Sequence, residues 1–241
     1  MEWFEEWFDS KYYHILYKNR NDEEAKSFID YLLTEIDLTK GSKVLDLACG
    51  KGRHSQYLST QGYTVKGVDL SKNSINEAKK LQGENLSFEV RDMRESFSKN
   101  EFDLVANLFT SFGYFNSLSD NLTVLKNIED MMTEKGYFVI DFMNVEKVIR
   151  TLKVDGDIDI DGINFKITRK VENGNIIKNI HINDNGNEFH FQEKVQALTI
   201  DNFKELINKT DLVIENFYGD YKLSSFDVDV SDRLVIVGTK W

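Results

Sequence analysis

Between residues 43 and 142 the chain alternates short apolar runs with helical patterns, and this alternation restricts the fold more than any other feature. Residues 43–48, 64–69, 86–90, 102–107 and 136–142 read as strands. Residues 53–61, 71–81 and 117–133 read as helices, with Ser71 placed as an N-cap. Strands separated by helices form βαβ units, whose crossovers lay neighbouring strands parallel. The expected class is therefore α/β, built on a doubly wound parallel sheet.

On either side of this stretch the pattern differs. Residues 1–37 read as helical: Trp3/Trp7, Phe4/Phe8 and Tyr13/Tyr17 are i,i+4 pairs, and Phe28, Ile29, Leu32, Leu33 and Ile36 form a stripe. The acidic run Asp22-Glu23-Glu24 suits the positive end of a helix dipole, and Gly41-Ser42 breaks the pattern. From about 154 to 200 the apolar residues alternate with period two, as in Ile163, Phe165, Ile167 and Ile180, Ile182. Asn173-Gly174 and Asn185-Gly186 fall between those runs, and Asn-Gly suits a type I′ hairpin turn because both central residues need positive φ. This predicts an antiparallel insert. A helix near 201–209 and strands at 212–215 and 233–239 return to the first pattern. The expected organisation is a helical segment over 1–40, an α/β core over 41–150, a β insert over 151–200 and a return to the core over 201–241.

Charge and composition narrow the function classes. The net charge of −11 argues against a broad nucleic-acid footprint, which needs clustered Lys and Arg. Cys49 is the single cysteine, so no intramolecular disulfide can form and a reducing compartment is expected. The acidic opening MEWFEEWFDS lacks the cationic and apolar regions of a signal peptide, and no apolar run reaches the roughly 18 residues of a membrane span. A cytoplasmic protein without a membrane segment is the expectation.

The segment from Val44 to Gly52 carries a strand into a glycine-bearing turn and then a helix. Glycine there admits a ligand to the backbone, and the helix N-terminus favours anionic groups. Asp69, at the end of the second strand, stands where nucleotide-binding α/β folds hold ribose hydroxyls. Two readings compete. A dinucleotide fold wants a third glycine, and Ser55 occupies that position. Asp46, at the end of the first strand, suits a cationic ligand such as an ammonium or sulfonium better than a pyrophosphate.

The stretch VLDLACGKGRHSQYL, followed by GYTVKGVDLSKNSINEAKK, resembles the first two motifs of class I S-adenosylmethionine (SAM)-dependent methyltransferases. Arg91-Asp92-Met93, the run from Asn107 to Tyr114 and the WF-D-S-x-YY-H opening extend the resemblance to small bacterial members, and the β insert resembles that of the glycine/sarcosine methyltransferase-like branch. The resemblance implies a Rossmann-like seven-stranded sheet in order 3-2-1-4-5-7-6 with an antiparallel last strand. It implies SAM as cofactor and S-adenosylhomocysteine as product. The backbones of Ala48, Gly50 and Gly52 would approach the methionine part and Asp46 its cationic end. Asp69 would hold the ribose, Leu70 would cover the adenine, and Asp92 with Met93 would meet its edge. Asn107 and Phe109 would lie at the methyl-transfer face. Tyr13 and Arg20, seven residues apart on one helical face, would reach over the cofactor, with Arg20 or Arg53 pairing with its carboxylate. Residues 1–20 would form an aromatic lid.

Methyl transfer is an in-line displacement, and a general base is needed only if the acceptor must lose a proton. Tyr114, His54 and Tyr13 are the catalytic candidates. Enzymes that methylate base amines or glutamine amides carry an (Asp/Asn)-Pro-Pro-(Tyr/Phe) motif after the fourth strand. That position reads Asn107-Leu108-Phe109-Thr110, and the chain contains no proline. The expected partner is therefore a small-molecule acceptor, with transfer to its N or O. Protein or RNA methylation, or a non-catalytic SAM-binding subunit, are the alternatives, and the chain is expected to be a monomer or homodimer. His181 and His190 alternate with apolar residues, so both are expected on the outer face of the insert. No histidine pair has H-E-x-x-H spacing, and no metal centre is expected.

Overall fold

The computed structural model describes residues 2–18 and 22–240. The central sheet has seven strands: β1 (Lys43–Leu47), β2 (Thr64–Asp69), β3 (Leu86–Val90), β4 (Phe102–Asn107), β5 (Met132–Met143), β10 (Leu212–Tyr218) and β11 (Arg233–Lys240). Their order is β10-β11-β5-β4-β1-β2-β3. With the insert strands set aside this is 3-2-1-4-5-7-6, as expected. β1 to β5 pair in parallel, and β11 runs antiparallel to both β5 and β10.

Helices cover both faces: α3 (Asp22–Glu35), α4 (Arg53–Thr60), α5 (Lys72–Ala78), α6 (Leu118–Met131) and α8 (Ile200–Ile207), with the short α7 (Val145–Arg150) after β5. Two apolar layers result. One joins Leu45, Leu47 and Phe138 to α6 and α8, and the other joins Val44, Val65 and Val139 to α3 and α4. Burial on both faces explains why the parallel strands read as continuous apolar runs. Ser71 caps α5 by accepting from the Ser74 backbone amide. β5 begins at Met132 rather than 136, because the chain passes from α6 into extended backbone without a loop.

The insert is a separate four-stranded antiparallel sheet: β6 (Asp155–Ile160), β7 (Ile163–Glu172), β8 (Asn175–Asp184) and β9 (Asn187–Gln196), in sequential order. Asn173, Gly174, Asn185 and Gly186 all have positive φ, as the hairpin reading requires, and Asp161-Gly162 makes a third turn of the same kind. β6 falls within the expected insert, although its acidic run carries few apolar residues. On one face of the insert, Phe165, Ile167, Ile180 and Ile182 form a third core with Trp7 and Tyr12 of the N-terminal helices α1 (Trp3–Asp9) and α2 (Lys11–Leu16). At the end of β9, the buried Gln196 accepts from the Asn121 side chain at 2.6 Å and donates to the Phe115 carbonyl at 2.9 Å. These bonds tie the insert to α6 and to the loop after β4. No helix among the described residues is long and apolar enough to cross a membrane.

Candidate active site

The C-terminal ends of β1, β2 and β4 open into a cavity of about 500 Å³, roofed by α1 and α2. This is where parallel α/β sheets bind ligands, outside the carboxyl ends of strands flanking a topological switch point. The cavity floor is the turn from β1 to α4. Ala48, Gly50 and Gly52 all have positive φ. A Cβ on Gly50 would meet nothing within 4 Å, so its backbone faces open space. A Cβ on Gly52 would lie 2.5 Å from the Phe88 ring. The Phe88 ring therefore requires glycine at this position, and Gly52 is not among the residues that line the cavity.

Asp69 closes this floor. Its two carboxylate oxygens accept from the Gly50 and Ser71 amides, each at 2.8 Å. An ionised carboxylate has about four acceptor sites, so the Asp69 oxygens retain capacity for hydroxyl donors. Burial pushes the Asp69 carboxyl above its ordinary value, and those two amides oppose the shift. Asp46 is wholly buried behind the turn and accepts from the Ser55 hydroxyl at 2.5 Å. Burial pushes its pKa up to about 6, with the Ser55 hydrogen bond only partly offsetting it. Ser55, the residue that replaces a third glycine, is thus the partner of the acid. Cys49 is a buried thiol whose pKa burial raises well above the ordinary value, which suits packing and not nucleophilic attack.

On the far side, Asp92 and Met93 line the cavity with Leu70. Arg94 donates to Asp92 through Nε and its terminal nitrogen and also reaches Glu2 at 2.8 Å. Burial pushes the Asp92 carboxyl up, but the Arg94 hydrogen bonds and charge prevail and hold it below its ordinary value.

The fourth wall is the loop after β4. Phe109 and Thr110 both have left-handed backbone, with φ 68° and 59°. Non-glycine residues there cost about 1–3 kcal/mol each unless the surroundings impose the conformation. Asp141 on β5 imposes it: its Oδ2 accepts from the Phe109 amide at 2.8 Å and its carbonyl accepts from the Thr110 amide at 2.9 Å. Arg233 donates to Asp141 Oδ1 at 2.8 Å and to the Thr110 hydroxyl at 2.8 Å. Tyr221 donates to Asp141 at 3.1 Å and stacks on Phe109 at 6.2 Å. Burial, then the Asp141 charge, push the Tyr221 hydroxyl up, so it stays a donor. The Arg53 guanidinium lies 5.1 Å from the centroid of the Phe109 ring.

The roof is aromatic. Phe8, Tyr13 and Tyr114 face the cavity and touch one another edge-on or tilted, with Phe8 4.9 Å from Tyr13 and 5.1 Å from Tyr114. Trp7 and Tyr12 point the other way, to the insert, where Trp7 Nε1 and Tyr17 donate to Glu193 and Tyr12 donates to Asp184. Asp9 clamps the roof to the floor by accepting from the Ser71 hydroxyl at 2.7 Å and the Asn73 amide at 2.9 Å.

The cavity brings together Tyr13, Asp46, Ala48, Gly50, Arg53, His54, Asp69, Leu70, Asp92, Met93, Phe109 and Tyr114. Asn107 is not among its lining residues. Its amide is fully buried and donates to the Leu47 carbonyl at 2.9 Å, so it ties β4 to β1 instead of facing a reacting centre. Arg20 lies outside the described residues, and α2 ends at Leu16, short of the continuous helix that would place Tyr13 and Arg20 on one face. His54 is buried beside Phe109, and the Tyr114 hydroxyl donates to the Thr110 carbonyl.

Sequence reading missed Asp141, Tyr221 and Arg233, which are distant in the chain and carry no local motif, and it gave no role to Asp9 of the WF-D-S-x-YY-H opening. It also passed over His14, which lines the cavity with Nε2 buried and unpartnered. Burial, reinforced by Lys51, lowers the His14 pKa to about 4, so the ring is neutral. The expected absence of metal-ligand clusters rested on spacing along the chain. Strand pairing nonetheless gathers His181, His190 and Glu188 on the insert.

The model of the methyltransferase domain family matches residues 38–192. The chain belongs to this family. It is 34% identical over 101 residues to a probable SAM-dependent methyltransferase, TehB of Haemophilus influenzae. That match takes in 41% of this chain, which spans about a third (35%) of the relative's length. A methyltransferase structure from Clostridium acetobutylicum aligns over 95% of this chain and 96% of its own, with TM-score 0.81 and 19% identity. The SAM-bound amino pentose methyltransferase CalS10 of Micromonospora echinaspora aligns over 96% and 98%, with TM-score 0.69 and 16% identity. These two structures share the fold.

The residues present suit SAM on their own chemistry. The open backbone at Gly50 admits a chain, Asp69 keeps acceptor capacity for two hydroxyls, Asp46 is a buried acid, and His14 offers an orphaned nitrogen.

Proposed function

We propose that the protein transfers the methyl group of SAM to a nitrogen or oxygen of a small molecule, within an enclosed site. The observation that carries this reading is the single cavity in which the acidic, glycine-lined floor meets the aromatic roof. SAM, when bound, supplies a methyl group activated by its sulfonium. In this reading Asp69 holds the ribose, Asp92 and Met93 meet the adenine edge, and Leu70 covers its face. The Ala48 and Gly50 backbone faces the methionine part, with Asp46 offsetting positive charge and Arg53 offered to the carboxylate.

Helices α1 and α2 of the N-terminal segment cover the site and act as a lid that excludes water and aligns the acceptor. Phe8, Tyr13, Phe109 and Tyr114 then surround the acceptor with ring faces. Such faces favour a cationic or amine-bearing molecule through cation–π attraction. CalS10, which shares the fold, is an amino pentose methyltransferase, in keeping with an amine acceptor. The antiparallel insert that supports the lid suits the glycine/sarcosine-like branch. His54 is the group placed to receive a proton from an acceptor that must lose one, with Tyr13 and Tyr114 placed to hydrogen-bond and orient that acceptor.

The test is S-adenosylhomocysteine production from SAM with panels of small amines, amino sugars and hydroxylated metabolites, and with protein and RNA pools. Turnover is expected in the amine panels. Tight SAM binding without transfer to any pool would overturn the reading in favour of a non-catalytic subunit. Removing residues 2–20 is expected to weaken SAM binding at least tenfold in a chain that still folds, and unchanged affinity would dismiss the lid.

A further inference from the structure

The insert sheet buries Ile180 and Ile182 of β8 against the N-terminal helices, so the alternate residues of β8 and β9 face the opposite way. There His181 and His190 are direct partners in the ladder. Their imidazoles stack with centroids 4.3 Å apart and planes 10° apart. Glu188, two residues before His190, reaches toward the same place, with its carboxylate 3.6 Å from His181 Nε2. One ligand atom from each of the three lies within 4.8 Å of the others. His181 Nε2 is covered and has no hydrogen-bond partner. A covered polar nitrogen without a partner calls for an explanation, and an ion is one. The cluster opens on a groove of about 550 Å³, with Trp3 and Glu6 of α1 on its margin and Lys166 on its floor.

We propose that His181, His190 and Glu188 bind one divalent transition-metal ion of the zinc class. Two imidazoles and a carboxylate favour Zn²⁺, Ni²⁺ or Cu²⁺ over the oxygen-seeking Mg²⁺ and Ca²⁺. A tetrahedral ion with bonds near 2.0–2.1 Å sets its ligand atoms roughly 3.3 Å apart. The ligands reach that spacing by turning the imidazoles about their soft terminal torsion and extending Glu188, with the strands unmoved. Water from the groove completes the shell. The position matters because β9 also carries Phe191 and Glu193, which hold Trp7 and Tyr17 of the roof. An ion bridging β8 and β9 therefore fastens the edge strand on which the roof rests. The site stands apart from the cavity, so the inference does not depend on the methyl-transfer reading.

The experiment uses untagged, metal-free full-length protein at pH 7.5. Zn²⁺ and Ni²⁺ are titrated in competition with a chromogenic chelator, with Mg²⁺ as control, and melting temperature is read with and without Zn²⁺. The expected result is one equivalent bound at micromolar or tighter dissociation constant and a raised melting temperature. His181→Ala and His190→Ala should each weaken binding at least tenfold, and Glu188→Gln by a smaller factor. His190 is exposed, so its variant should fold, as checked by circular dichroism. Absence of binding, or one-equivalent binding that survives His190→Ala, overturns the proposal.

Discussion

The turn after β1 and the loop after β4 line the same cavity and pose the same backbone problem, solved by different means. Both pass through left-handed residues beneath the ligand space. The first uses glycine at two of its three left-handed positions and needs few distant partners: Asp69, on the neighbouring strand, accepts from Gly50. The second places Phe109 and Thr110 in that conformation and holds them with Asp141, Arg233 and Tyr221, from β5, β11 and the β10–β11 connection. A glycine turn costs little to form and leaves room for a ligand. A loop of bulky residues must be held from outside, and the return is a ring wall aimed into the site. The first arrangement suits binding a cofactor whose shape does not change, and the second suits shaping the place where an acceptor meets it.

Substitutions in each half test whether the floor and the loop do separate work. The largest expected effect is on the floor: Asp69→Ala should weaken SAM binding about 100-fold or more, by calorimetry, with the circular dichroism spectrum retained. Wild-type affinity in that variant would remove the floor as the cofactor site. Next is Asp141→Asn, which keeps the side-chain size but takes the charge from the Arg233 pair. Breaking a buried pair costs about 3–5 kcal/mol, so a lower melting temperature is expected. If the loop shapes the acceptor site, the turnover number should fall at least tenfold while SAM affinity changes less than threefold. Equal losses in both would mean that the two halves are not distinct.

The smallest effect, and the one with opposite signs, concerns Asp46. Burial raises its folded pKa to about 6 from an ordinary 3.8, so the folded state penalises the charged form. That penalty is absent below pH 4, grows as pH rises toward 6 and is constant above it. Asp46→Asn should therefore melt several degrees higher than wild type at pH 7, with the difference vanishing near pH 4. The same variant should bind SAM more weakly, and wild-type affinity should fall as pH drops through 6. A variant no more stable at pH 7 would show that the Ser55 hydrogen bond outweighs burial.

The floor was legible in the sequence because its parts are close in the chain. A strand, a glycine turn and an acid at the next strand end form a pattern that local physics allows in few other ways. The Asn-Gly turns of the insert were legible for the same reason, since positive φ selects those residues. Gly52 shows the limit of such reading: its type and spacing match a ligand-facing glycine, yet Phe88, from β3, occupies the space its side chain would need. Asn107 shows the same limit, because its direction depends on which strand lies beside β4.

The class of fold, the strand order implied by family resemblance, the left-handed turns and the acids at the strand ends could all be read from the residues in order. These follow from periodicity and local conformational preference, which act over a few residues. Long-range packing is what sets Asp141 and Arg233 to hold the Phe109 wall, divides the N-terminal aromatics between cavity and insert, and brings His181 to His190. Those outcomes depend on which segments fold against one another and in what register. Strand register settles both neighbour and face at once, and it is set by the packing of the whole chain.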